Sequence, residues 1–260
     1  MSDFDRNAAA AFGRPLTRAE AAVVDEGLRA YMLRIYNYMV LGLAITGLAA
    51  LGIYMLSVTN DPALVVQKFR NIGLTSIGYT LFFSPVKWVV ILAPLALVFF
   101  LSFRIQNMRP ATAQLTFWIY AALVGVSLGS IFLVYTHTSI TRVFFITAAS
   151  FGALSLWGYT TQRDLSGMGT FLFMGLIGII IASLVNLFLR SSGLDWMISI
   201  IGVGVFAGLT AYDTQRIKGM YDRGDDATSA GRKAVMGALS LYLNFINLFM
   251  MLLRLMGGRR

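Results

Sequence analysis

The sequence predicts an all-α polytopic membrane protein, a seven-transmembrane-helix bundle, from its composition, the length of its apolar runs and the lack of an alternating strand pattern. Of 260 residues, 57% are hydrophobic and 13% charged, with a mean hydropathy of +0.72. One soluble core could not hide that much apolar surface. A helix needs roughly 20 apolar residues to cross a hydrocarbon layer of about 30 Å. Seven windows qualify: Ile35–Val58, Val86–Phe103, Thr112–Tyr135, Ile140–Thr161, Gly169–Leu189, Trp196–Gln215 and Ala234–Met256. A transmembrane β-barrel would instead show segments of about 10 residues alternating apolar and polar, and none is present.

Residues 1–34 read as a cytoplasmic leader, and residues 35–258 as the membrane domain. Within the leader, Thr17-Arg-Ala-Glu20 has capping-box spacing, which predicts a short amphipathic helix from about Arg18 into the first span. The first apolar run begins after a mostly polar stretch and is too long for a signal-peptide core, so no cleavable signal is expected. The longest connection, Thr59 to Pro85, carries the turn formers Asn60-Asp61-Pro62, Gly73 and Gly78 but is too apolar for a disordered linker. Later connections are short, which predicts sequential helices side by side. Small residues at Gly125 and Gly129, Gly175 and Gly178, and Gly204 and Gly208 suit close helix approach. Pro94, midway along the second window, should kink its helix by removing a hydrogen bond. No internal repeat is evident, which argues against an inverted-repeat transporter.

The formal charge of +9 is assigned to membrane topology and not to nucleic acid. With the N-terminus inside, the inner segments hold Arg6, Arg14, Arg18, Arg29, Arg34, Arg104, Arg109, Arg163, Arg216, Lys218, Arg223, Arg232 and Lys233. These are thirteen of the 21 basic residues, against eight outside. A multi-pass protein of a bacterial inner (plasma) membrane with a cytoplasmic N-terminus and an external C-terminus is expected. The chain has no cysteine, which excludes disulfides, thiolate metal sites and cysteine nucleophiles.

Asp213 is the only carboxylate within any apolar window. An acid in a bilayer is costly unless it faces protein or water, so it marks a functional site by default. A plainer reading places it near the inner end of its helix, solvated and paired with Arg216 three residues on. In the last window Ser240, Asn244 and Asn247 fall at i, i+4 and i+7 and form a polar stripe. Buried amides need partners, and the neighbouring helices are the expected source. Asn186, three residues after Ser183, is a candidate for the same network, as is Tyr212 beside the acid.

Enzyme readings fail on their own terms, and no catalytic residue is assigned. Gly125-Val-Ser127-Leu-Gly129 fits the serine-hydrolase pattern, but that motif needs a strand-turn-helix elbow and here lies inside an apolar helix. An intramembrane aspartyl protease needs two carboxylates sharing a proton, and no other window carries an acid. A retinal protein needs a lysine inside the last span, and Ala234–Met256 has none.

Several long motifs in fixed order carry a resemblance: Gly158-Tyr-Thr-Thr-Gln-Arg-Asp-Leu165, Phe173-Met-Gly-Leu-Ile-Gly178 with Ala182-Ser-Leu-Val-Asn186, Ala211-Tyr-Asp-Thr-Gln-Arg-Ile217, and Leu241-Tyr-Leu-Asn-Phe-Ile-Asn-Leu-Phe249. Over about residues 30 to 258 the chain resembles the bacterial branch of the transmembrane Bax inhibitor motif (Bax inhibitor-1) family. The resemblance implies a seven-helix bundle with the last helix central and a pH-sensitive calcium leak. It further implies an acid dyad from the sixth and seventh helices on the cytoplasmic side, and a second-helix arginine that exchanges partners with it. Asp213 matches the first acid, and Arg104 is the candidate latch.

At the position of the second acid stands Asn244. Two carboxylates in contact must share a proton because like charges that close cannot both ionise. An Asp facing an amide lacks that coupling, so proton sensing is expected to be weaker. A calcium ion would meet one carboxylate and neutral oxygens. The reading is therefore a cation leak modulated through Asp213. Its expected partners are the lipid bilayer, calcium ions and protons, with no cofactor beyond Ca2+ as permeant or bound ion. The alternative is a non-conducting membrane protein that modulates a membrane protease or stress response through a membrane protein partner.

Overall fold

The computed structural model describes residues 18–259, with side chains from Glu26 onward. Helix α1 runs unbroken over Arg18–Ser57. After it come β1 (Val58–Thr59), β2 (Gln67–Phe69), β3 (Ile72–Leu74), α2 (Ser76–Phe82), α3 (Lys87–Arg104), α4 (Pro110–Leu128) and α5 (Ile131–Val134). The chain continues through α6 (His137–Thr160), α7 (Ser166–Leu189), α8 (Ser192–Gly219) and α9 (Ala227–Met256). Seven helical segments are long and apolar enough to cross a membrane: 26–57, 87–107, 110–134, 137–160, 166–189, 192–219 and 227–256. The fold is thus an all-α membrane architecture, as composition predicts. The described part of helix α1 starts at Arg18, and the capping box at residues 17–20 lies outside the described side chains.

Contacts divide the chain into two units. The first, with described residues 18–37 and 146–255, contains the start of α1, most of α6, and α7 to α9. Leu172, Ile179, Ile198, Val205, Phe206, Leu209, Leu248 and Met251 form a buried apolar cluster from α7, α8 and α9. Glycines allow the close approaches. A Cβ on Gly158 would meet the Ala211 carbonyl oxygen, one on Gly169 the Tyr212 ring, and one on Gly202 the Met251 side chain. Of the glycines singled out in sequence, Gly175 faces Val205 and Gly208 faces Leu172, whereas Gly178 and Gly204 have open space.

The last helix is the most enclosed, with 61% of its most apolar window buried, against 11% for α7. Helix α7 turns Phe171, Phe173, Ile180, Leu184 and Phe188 outward. An apolar outer face of that kind suits lipid. Helix α8 outlasts its apolar window and ends at Gly219 with Met220 as its C-cap. Helix α9 starts seven residues before its own apolar window, at Ala227, where Asp226 accepts hydrogen bonds from the N–H groups of Thr228 and Ser229. The sequence is polar at both ends, so apolarity alone places the boundaries too far in.

The second unit, with described residues 38–145 and 256–259, contains the rest of α1, the short strands, α2 to α5, the start of α6 and the C-terminal tail. Gly125 and Gly129 do what their spacing predicts. A Cβ on the first would strike the Thr46 carbonyl oxygen and Ala49, and one on the second Ile53, so α4 lies close against α1. Thr46 Oγ1 lies 2.9 Å from the carbonyl oxygens of both Ala121 and Gly42, which share its one proton. Ser127 of the apparent hydrolase motif therefore lies within a packed helix. His137, the chain's one histidine, packs edge-on against Tyr54.

Helix α3 continues through Pro94. The 59–85 connection folds into a three-stranded antiparallel sheet of order β1-β3-β2 followed by α2. Here Gly73 lies against the Thr59 carbonyl oxygen and Gly78 against that of Ser57.

Candidate functional site

The α8–α9 pair sets the geometry around Asp213. Lys233 Nζ donates to the Met220 carbonyl oxygen at 3.1 Å, and Gly237 packs against Ile217. Asp213 meets Asn244, and Gly202 meets Met251. Each step back along α8 is matched by a step forward along α9, which is the register of two antiparallel helices. The later end of α8 and the earlier start of α9 bring Asp213 and Asn244 to one level. The two apolar windows alone would leave them about two turns apart.

Asn244 Nδ2 donates to Asp213 Oδ2 at 2.8 Å, within the buried interior. Arg216 Nη2 lies 2.8 Å from Asp213 Oδ1, completing the i,i+3 pair, and donates to Ser240 Oγ at 3.2 Å. Its guanidinium carbon stands 5.8 Å from the centroid of the Tyr212 ring. The carboxylate of Asp213 is thus buried and engaged at both oxygens, from its own helix and from the neighbouring one. A solvated helix-end acid would have only the first of these contacts.

Other predicted positions lie elsewhere. Asn247 Nδ2 donates to the Leu243 carbonyl oxygen on its own helix, 2.9 Å away. Asn186 sits at the opposite end of α7, where its Oδ1 accepts from Ser191 N at 2.9 Å across the turn into α8. That turn passes through Arg190 in the left-handed region, at φ 50°. Arg104 occupies the last turn of α3 and is exposed. Among the described residues, no group of three or more His, Asp or Glu side chains could hold a metal ion.

One part of the site has no signal in the sequence. Thr214 Oγ1 donates to the Thr210 carbonyl oxygen at 2.8 Å and lies 2.9 Å from Ser155 Oγ, which is in contact with Tyr36 Oη at 2.5 Å. A hydroxyl has one proton, so Thr214 accepts from Ser155, and Ser155 accepts from Tyr36. This ordered chain joins α8, α6 and α1 beside Asp213.

The residues that follow Asp213 each make a separate tie. Gln215 Nε2 donates to the Arg163 carbonyl oxygen at 2.7 Å, and Gln215 Oε1 accepts from Leu165 N at 2.9 Å. Ile217 is fully buried, and Lys218 Nζ donates to the Tyr159 carbonyl oxygen at 3.0 Å near the end of α6. In the same loop Asp164 is held below the usual carboxylate range by its hydrogen bonds with Ser166.

Seven helices of spanning length, with an acid buried against an amide and an arginine, define a polytopic membrane protein with an ionisable interior site. Residues 28–260 match the family described as Inhibitor of apoptosis-promoting Bax1. An uncharacterized protein of Caulobacter vibrioides is 45% identical over 100% of both chains. The inner membrane protein YbhL of Escherichia coli K12 is 46% identical over 90% of this chain and 94% of its own length. An uncharacterized protein of Rickettsia prowazekii is 46% identical over 94% of this chain and 96% of its own. The chain belongs to the Bax inhibitor family, as the four ordered motifs indicate.

Proposed function

We propose that this protein is a cation leak pathway, with calcium as the permeant ion, of a bacterial inner membrane. Its modulation by protons acts through Asp213 near the cytoplasmic side, with proton sensing weakened by Asn244. The observation that carries this reading is the placement of Asp213. Its carboxylate is buried on an apolar helix and held across the helix pair by Asn244 at 2.8 Å, and buried ionisable groups in membrane helices mark ion and proton routes. Membership of the family supports the reading. The name of the Escherichia coli relative supports the inner-membrane location.

In this mechanism the ionised carboxylate is what a cation and Arg216 both seek. Protonation removes that charge, releases Arg216 and leaves Asn244 facing a neutral acid. With one carboxylate in place of two, no proton is shared, and calcium would be met by Asp213 and neutral oxygens, an arrangement that binds weakly. Arg104 is the proposed latch, an expectation that rests on the family resemblance.

The test is calcium flux into liposomes containing only this protein, at two pH values. Asp213→Asn should remove the pH dependence of the wild type. Asn244→Asp restores a second carboxylate and should make flux strongly pH-dependent near neutrality. Arg104→Ala should change the balance of open and closed states without abolishing flux. Matched folding must be verified, since a changed buried polar group can destabilise by about 1–3 kcal/mol. Unchanged flux and pH profile in both Asp213→Asn and Asn244→Asp would defeat the mechanism. Absence of flux in the wild type would favour a non-conducting partner of a membrane protease or stress-response protein.

A further inference from the structure

Arg216 engages one oxygen of the enclosed Asp213 carboxylate. Its Nη2 lies 2.8 Å from Asp213 Oδ1 and 3.2 Å from Ser240 Oγ, while its guanidinium carbon is 5.8 Å from the Tyr212 ring centroid. Asn244 occupies the other carboxylate oxygen. The Arg216 side chain is 45% exposed and that of Asp213 11%, so the guanidinium covers a carboxylate that is otherwise enclosed. An ordinary exposed i,i+3 pair holds one partner on one helix. This arginine also engages a hydroxyl on the second helix and a ring on its own.

We infer that Arg216 is a tethered cation filling the cation subsite of Asp213, and that removing its guanidinium opens a binding site for a small free cation. The opened site consists of Asp213 Oδ1 and the Ser240 hydroxyl oxygen, the two atoms that Arg216 Nη2 contacts. One negative charge and one neutral oxygen suit guanidinium itself or a weakly held calcium ion. Arg216 lies one helical turn from the acid, so a rotation of its own side chain uncovers the site without movement of either helix. Asp213 is here taken as the ion site, as in the proposed function, but the inference concerns binding and not conduction.

The experiment is thermal unfolding of the purified full chain in detergent, with millimolar guanidinium chloride or calcium chloride added. Choline chloride at equal ionic strength is the control, since it offers no N–H donor. Arg216→Ala should gain a saturable rise in Tm, of about 5 °C at a hundredfold excess over Kd. The wild type should show no shift beyond the choline control, and Arg216→Ala with Asp213→Asn should lose the gain. Arg216→Lys retains a tethered charge and should respond like the wild type.

Equal responses in wild type and Arg216→Ala, or a gain that survives loss of Asp213, would overturn the inference. Arg216→Gln serves as a second opening variant. If neither opening variant folds while Arg216→Lys does, the charge is a requirement of the fold and not the occupant of a cation site. Liposome flux separates the two proposals. A cation-dependent shift without flux in any variant keeps the tethered cation and defeats the leak, while flux lost in Asp213→Asn without a cation shift does the reverse.

Discussion

Asp213 and Asp226 flank the same turn between two helices, and their surroundings give them different work. Asp213 is enclosed and engaged by side chains, whereas Asp226 is open to solvent and accepts backbone N–H groups from Thr228 and Ser229, each at 3.2 Å. Those orphan donors at the start of α9 are what an N-cap satisfies. Hydrogen bonds with Ser229 hold the Asp226 carboxyl below the ordinary carboxylate range. Its folded pKa lies below the unfolded value near 4, so its stabilising contribution is present above that value. The contribution disappears as pH falls through the folded pKa. Amide exchange at residues 228–230, corrected for intrinsic rates, should rise as pH drops below about 4 in the wild type. In Asp226→Asn, whose cap carries no charge, that acid-dependent rise should vanish while the helix start stays protected. An identical acid response in the variant would assign it to another group.

At the scale of elements, glycine contacts decide how near the helices come. Gly158 of α6 lies against the Ala211 carbonyl oxygen of α8 with no room for a Cβ. Backbone cannot rotate away as a side chain can, so Gly158→Ala should separate the two helices locally and destabilise by about 1–3 kcal/mol. Gly178→Ala, which points into open space, should be near neutral. Thermal unfolding of the two variants makes the comparison, and equal losses would refute the contact.

The same elements show what could be read from sequence. All seven spans were legible because a run long enough to cross a bilayer is a strong one-dimensional signal. Asp213 and Asn244 were legible because polar residues stand out within such runs. The hydroxyl chain from Tyr36 through Ser155 to Thr214 was not, because Ser and Thr are ordinary in membrane helices and three helices must be packed before their hydroxyls align. Asn186 and Asn247 stood out equally in sequence, yet their amides serve a turn and a backbone carbonyl. Polarity marks a residue that needs a partner without saying which. The β1–β3 sheet was missed because strands of two or three residues carry too short a pattern to detect.

At the scale of the molecule, the C-terminal tail supplies a constraint that the basic-residue count does not. Within the unit that holds both segments, Thr136 N donates to the Gly258 carbonyl oxygen at 3.0 Å, and Gly258 N donates to Ser139 Oγ at 2.7 Å. An antiparallel bridge joins Tyr135 to Arg259. Tyr135 and Thr136 form the turn between the third and fourth spans, so the end of the seventh span lies at the same level as that turn. Four further crossings separate the two points in sequence, and an even number of crossings returns the chain to one side. Seven complete spans satisfy this, whereas one re-entrant run among the last four would place the two segments on opposite sides. The thirteen-to-eight excess of basic residues at the other ends of the spans then predicts that the shared side is external. Reporter fusions in the Arg216–Lys233 connection should give a cytoplasmic signal, and fusions at Thr136 and at Arg260 should both give an external one. A cytoplasmic signal from Arg260 with an external one from Thr136 would contradict the tail contacts, and a cytoplasmic signal from both would invert the orientation while leaving seven crossings intact.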